Sequence, residues 1–240
     1  DNIDVLTHGE FAYGLEADNT SQTTINNCHL ETSGNEAHAT YAYFAKILLN
    51  DVDILTSGSI AAGIYSREGS HITVTGGSIK TIGNNANGID VYHSDVELKQ
   101  ISIETQGKYA HGLRISDKGT LTGDDLNVFS NRASGVLLDK SWNSASASAS
   151  LTNSQITGDS AAYYLDSSYA YYDDEVNSLN ITGGSVAATA KDGSAFYVNA
   201  GAANITVDNL QNVSAANLLT VNENNWNNVI FRAKNDSTLS

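Results

Sequence analysis

The stretch His71–Ile115 restricts the fold more than any other feature of the chain, because it states one three-part pattern twice. Ile72-Thr-Val74 answers to Val96-Glu-Leu98, Ser78-Ile-Lys80 to Ser102-Ile-Glu104, and Asn87-Gly-Ile89 to His111-Gly-Leu113. Each part alternates apolar and polar residues, the period of a strand with one buried face. Gly, Asn and Ser separate the parts. A unit this small cannot bury its own apolar side, so it must stack on copies of itself.

Similar units run through the whole chain. The alanine, or its equivalent, that opens each first strand gives Ala12, Ala39, Ala61, Ala86, Ala110, Ala133, Ala161, Ser194 and Ala216, spaced by 27, 22, 25, 24, 23, 28, 33 and 22 residues. Nine turns of this size hold three strands of about five residues and three corners each. First strands contribute Leu15, Ile64, Ile89, Leu113, Val136 and Leu165; second strands contribute Ile25, Leu49, Val74, Leu98, Leu121, Leu151, Ile181 and Val207. Five residues further on, third strands contribute Leu30, Ile54, Ile79, Ile103, Leu126, Ile156 and Val186. The constant gap predicts a two-residue corner, filled by pairs from Asn26-Asn27 to Asp208-Asn209 with Thr122-Gly123 in the fifth place. Such residues tolerate left-handed backbone. The prediction is an all-β fold, a right-handed single-stranded parallel β-helix of about nine three-strand turns in which residues 1–240 form one body. A β-sandwich also alternates, but it has no reason to keep one three-strand pattern through every cycle.

Charge and composition exclude other classes. A formal charge of −15, with only 12 scattered basic residues, argues against nucleic acid, whose phosphates need clustered Lys and Arg. At 40% hydrophobic and 16% charged residues the chain is not of the disordered type. No apolar run approaches the roughly 20 residues of a membrane-spanning helix. Cys28 is the only cysteine, so no internal disulfide forms, and it is expected to be a buried, inert thiol. Asp1 enters in mid-pattern and Asn228–Phe231 is still strand-like, so the parent protein is expected to be longer at both ends.

The Ala-x-Gly-apolar first strands, the Gly-Ser-x-apolar-x-apolar second strands and the Ser-Ile-x-Thr third strands resemble the pertactin-like passenger domains of bacterial autotransporters. The run from Ala61 to Val74 carries the likeness, and Ala86–Val91 and Ala110–Ile115 repeat its opening. The resemblance implies a right-handed β-helix exported through an outer-membrane barrel, here a C-terminal part outside this chain, and displayed on a Gram-negative cell surface, most often as an adhesin. It implies a host extracellular-matrix protein or glycan as partner.

Function on a solenoid concentrates where loops break the repeat. Insertions near 139–149 and 166–177 follow the first strand in the two longest units, and 222–228 fills the same corner in the last. Stacking of equivalent corners is expected to bring Trp142, Tyr169, Tyr171, Tyr172 and Trp226 to one side of the rod, with Asp173, Asp174 and Glu175 among them. Aromatics on polar loops make a platform for a carbohydrate or a protein, unless they fold back over their own loop necks. The acidic trio lacks the spaced ligands of a calcium loop, and neither a metal nor a cofactor is expected. His8, His29, His38, His71, His93 and His111 lack metal-ligand spacing, and Gly158-Asp-Ser160 is expected to be a corner rather than an esterase block.

Three functions compete. A polysaccharide lyase or hydrolase of this shape would gather carboxylates and bases on one face. Yet Arg67, Arg114, Arg132 and Arg232 are few, only Arg114 is expected to project from a regular strand, and the carboxylate column containing Glu16 and Asp90 is interrupted. A plain stalk or a self-associating rod is the second alternative. The expected function is adhesion or presentation without chemistry.

Overall fold

In the computed structural model the description covers residues 2–140, 146–167, 176–222, 227–235 and 237, with the side chain of residue 227 left out. Every strand pairing among these residues is parallel and joins a residue to its counterpart one turn away; Val96, for example, pairs with Ile72 on one side and Leu121 on the other. The chain is an all-β parallel solenoid of about nine turns, without a helix among the described residues. Eight steps at the usual strand spacing give a rod of about 38 Å.

Three columns of strands make up the rod. First strands run from Leu15–Asp18 to Asn217–Val221, second strands from Gln22–Asn26 to Asn227–Lys234, and third strands from Asp4–Thr7 to Asn212–Ser214. Lys46–Thr56 and His71–Thr81 each carry a second and a third strand around the corner, while Ser194–Asp208 carries a first and a second without a break. Inward positions stack into continuous apolar files, such as Leu30, Ile54, Ile79, Ile103, Val128 and Ile156, all buried. Burial of these files drives the coiling, because no single turn encloses a core. Cys28 is buried, as expected.

The corners are as regular as the strands. Between second and third strands the second corner residue is left-handed each time, at Asn27, Asp51, Gly76, Gln100, Asp125, Asn153, Gly183 and Asn209. Asn50 Nδ2 donates to Asn26 Oδ1 one turn away at 2.7 Å, tying two of these corners together. Between third and first strands runs a Thr-x-Gly-x-x-Ala corner. The hydroxyls of Thr7, Thr32, Thr56, Thr81 and Thr105 donate to the carbonyls of Ala12, Ala37, Ala61, Ala86 and Ala110 at 2.5–2.6 Å. Its glycines lie backbone against backbone: a Cβ on Gly83 would sit 1.9 Å from the carbonyl oxygen of Gly58.

The register corrects several sequence assignments. Leu15 pairs with Thr40 and Thr40 with Ile64, so Ala37 rather than Ala39 is the counterpart of Ala12, and the spacings of 27 and 22 become 25 and 24. In the fifth second strand the residue level with Leu98 is Gly123, not Leu121, and the corner is Asp124-Asp125, not Thr122-Gly123. Gly123 is admitted there because Leu126 and Leu151 reach over it; their methyls would lie 2.5 and 2.7 Å from an added Cβ. Val128 accordingly replaces Leu126 in the third-strand file. Val136 pairs with Tyr163, and Leu165 belongs two residues along, beside Leu138. The last marker also slips by one, since Ser194 pairs with Asn217.

Candidate functional site

The outward faces of the three columns differ in chemistry. Of the twelve tyrosines, Tyr169, Tyr171 and Tyr172 lie outside the described residues, and the other nine all sit on first strands or on the corners leading into them. One outward file reads Tyr41, Tyr65, Asp90, Arg114, Leu137, Tyr164 and Tyr197. Strand spacing sets the rings one above another. Tyr13 stacks on Tyr41 at 4.9 Å and 11°, and Tyr164 on Tyr197 at 5.0 Å and 18°. The Arg67 guanidinium lies 5.4 Å from the Tyr65 ring centre and 5.2 Å from that of Tyr92. Rings stacked in this way cover each other's faces, so the ladder turns edges and hydroxyls outward.

Charge is concentrated in the middle of this face. Asp90 is only 8% exposed and accepts from Asn87 Nδ2 at 2.9 Å. Arg114 spans three rungs: Nη1 meets Asp90 at 3.3 Å and Nη2 meets Asp139 at 2.9 Å. Burial raises the Asp90 carboxyl above its ordinary range, against the pull of Arg114 and Asn87. Burial also works against the Arg114 charge, but Asp90 and Asp139 outweigh it and hold the guanidinium protonated. Asp90 Oδ1 is buried and has no hydrogen-bond partner among the described residues.

Beside this cluster the Thr-x-Gly-x-x-Ala corner fails. From Thr105 to Ala110 it has its full length, whereas Ser130 is followed by Ala133 after only Asn131 and Arg132. Ser130 Oγ turns back to the carbonyl of Ala110 at 2.9 Å instead. Tyr109, 70% exposed, therefore has no counterpart in the next turn, and a groove of about 380 Å³ opens over Ala133 and Leu137. His111, Arg132, Asp139, Tyr164 and Asp166 line its sides. His111 Nδ1 accepts the Ser134 N–H at 3.2 Å, so the neutral ring carries its proton on Nε2. Burial, with Arg114 nearby, pushes the His111 pKa down to about 4. Burial, with Asp166 and Tyr197, pushes Tyr164 up to about 12. Asp139 and Asp166 end adjacent first strands in register, and Asp166 accepts from Asn199 Nδ2 at 3.0 Å. The groove thus offers carboxyl acceptors, neutral and charged donors, and an apolar floor. Among the described residues no group of three His, Cys, Asp or Glu side chains is placed to hold a metal ion.

No protein-family model matches the chain, and neither does any curated protein. The site therefore rests on its own geometry.

The residues singled out from the sequence, Trp142, Tyr169, Tyr171, Tyr172, Asp173, Asp174, Glu175 and Trp226, all lie outside the described residues. What the structure supplies is their anchorage. Both long insertions do follow a first strand, and their flanks are stacked, Asp139 on Asp166 and Ser148 on Ser178. In the next turn Ser194–Asp208 passes the same corner without an insertion. The expectation that only Arg114 projects from a regular strand is corrected: Arg67 closes Ile64–Arg67, and Arg232 lies within Asn227–Lys234. The interrupted acidic file is as expected, since tyrosines separate Glu16 from Asp90. Sequence reasoning missed Tyr109, His111, Arg132, Asp139, Tyr164 and Asp166 as a group. The signal that marks them is the loss of the glycine corner after Ser130.

Proposed function

We propose that the chain is part of a surface-displayed adhesin whose first-strand face binds a host matrix protein or glycan without changing it chemically. The concentration of the described tyrosines and of the groove on that one face is the observation that carries this reading. The right-handed sense of the coil, the likeness to autotransporter passengers and export through an outer-membrane barrel belong to the same proposal. The test is to display the full chain on a sensor and present matrix proteins and glycans, with Tyr109→Ala and Arg132→Ala as probes at exposed corner positions. Binding that falls in both variants while their melting temperatures stay level is the expected result. Absence of any ligand, or a ligand indifferent to both variants, would sink it.

A second reading, cleavage of a polysaccharide, has one observation in its favour. Asp139 and Asp166 are one rung apart in the groove. A rung is about 4.8 Å, close to the roughly 5–5.5 Å between the carboxyls of retaining glycosidases. Prolonged incubation with polysaccharides, followed for new reducing ends or unsaturated products, separates the two readings.

A further inference from the structure

We infer that the groove between Tyr109 and Tyr164 is a subsite for one uncharged glycosyl unit of a longer glycan. The inference rests on the binding reading above and names the ligand class for that face. A cavity of about 380 Å³ falls at the lower end of small-molecule sites, which run from about 300 to 1,000 Å³. Its position is the step in the outward file where the gap in the aromatic ladder, Asp90, Arg114 and Leu137, ends and the rings resume at Tyr164. Tyr164 stacks on Tyr197 on one side, and its neighbour on the other is Leu137, so a ring with no second ring against that side borders the groove.

The polar inventory favours hydroxyls. Asp139 and Asp166, each already holding at least one protein donor, can accept only from further donors, while Arg132 and the Nε2–H of His111 are donors and are met by acceptors. A sugar hydroxyl is both at once, and a pyranose ring also has apolar C–H patches to lay on Leu137 and Ala133. A carboxylate or sulfate offers acceptors alone. The charge balance opposes anions as well: of the groups lining the groove the acidic Asp139 and Asp166 outnumber the basic Arg132, within a chain of formal charge −15. Repulsion at this range disfavours uronate and sulfated chains.

Calorimetric titration of the full chain with neutral oligohexosides of several linkages, and with the matching oligouronides, tests this. At least one neutral series is expected to bind, with affinity nearly independent of salt, and the uronides to bind more weakly. Arg132→Gln and Ser160→Ala, both at exposed corner positions that line the groove, are each expected to weaken the neutral ligand about tenfold. Asp166→Asn is expected to weaken the neutral ligand and to narrow the gap to the uronides; near-ultraviolet circular dichroism checks that it keeps the native packing. Uronides that bind as tightly as neutral chains, or neutral binding unchanged in Arg132→Gln and Ser160→Ala, would overturn the inference. Binding of a matrix protein without any neutral oligosaccharide would overturn it too, yet leave adhesion standing, whereas a chain that binds nothing ends both.

Discussion

At the scale of single residues, the lead-in corners of three first strands each carry a side chain that accepts a backbone N–H from the next turn. His38 Nδ1 accepts from Ala62 at 3.0 Å, Asn87 Oδ1 from His111 at 2.9 Å, and His111 Nδ1 from Ser134 at 3.2 Å. The two histidines do this only while neutral, because protonation replaces the acceptor lone pair with a donor. Burial, with Arg67 nearby, pushes the His38 pKa down to about 4, matching His111. A folded pKa below the unfolded value of about 6.5 means the unfolded chain takes up protons first. The stability these histidines contribute is therefore full above pH 6.5 and lost as pH falls toward 4, by up to about 3 kcal/mol each. Asn87 supplies the control, since asparagine fills the same place without titrating. His38→Asn is expected to flatten the fall of the urea midpoint between pH 6.5 and 4; an unchanged slope would place the acid sensitivity elsewhere.

At the scale of strands, Arg114 acts as a clasp across Ile89–Tyr92, Leu113–Ser116 and Val136–Asp139. Its removal leaves Asp90 buried with Asn87 as its remaining partner. Arg114→Met is expected to cost about 3–5 kcal/mol by equilibrium unfolding, and adding Asp90→Asn to recover much of it, because the penalty lies in the uncompensated charge. Additive losses in the double variant would refute that account. The strands are also where the legibility of the sequence is best judged. Alternation and recurrence were enough to identify the three columns and the two-residue corner, because every turn obeys the same burial rule. Register was harder. Ala39, Leu121 and Leu165 each lie two residues from the position in register, since an apolar side chain two positions away faces the same side and satisfies the same pattern. Only the neighbouring turn decides between them, as Gly123 shows by accepting cover from Leu126 and Leu151. The groove was illegible for a related reason: Tyr109, Arg132, Asp139 and Asp166 meet across turns, and what brings them together is a corner two residues short.

At the scale of the whole molecule, contacts run almost entirely between adjacent turns, so the rod is close to one-dimensional. Its ladders of stacked rings, threonine hydroxyls and corner asparagines each extend one step at a time. The long insertions interrupt none of this, because both leave and re-enter at the same corner, with Asp139 on Asp166 and Ser148 on Ser178. Adhesion through a lateral face suits such a body, whose surface is fixed turn by turn while a single altered corner cuts a pocket into it.

The in-register pairing of His71 with Asp95 has one more consequence. Residues 71–94 form a complete circuit that ends where it began, one rung higher, so a tandem copy of that segment meets the same neighbours above and below. Such a duplication is expected to fold without loss of melting temperature and to lengthen the particle by about 4.8 Å in solution scattering. The gene would then work as a ruler, in which copy number sets reach in fixed increments and the pocket rides outward unchanged.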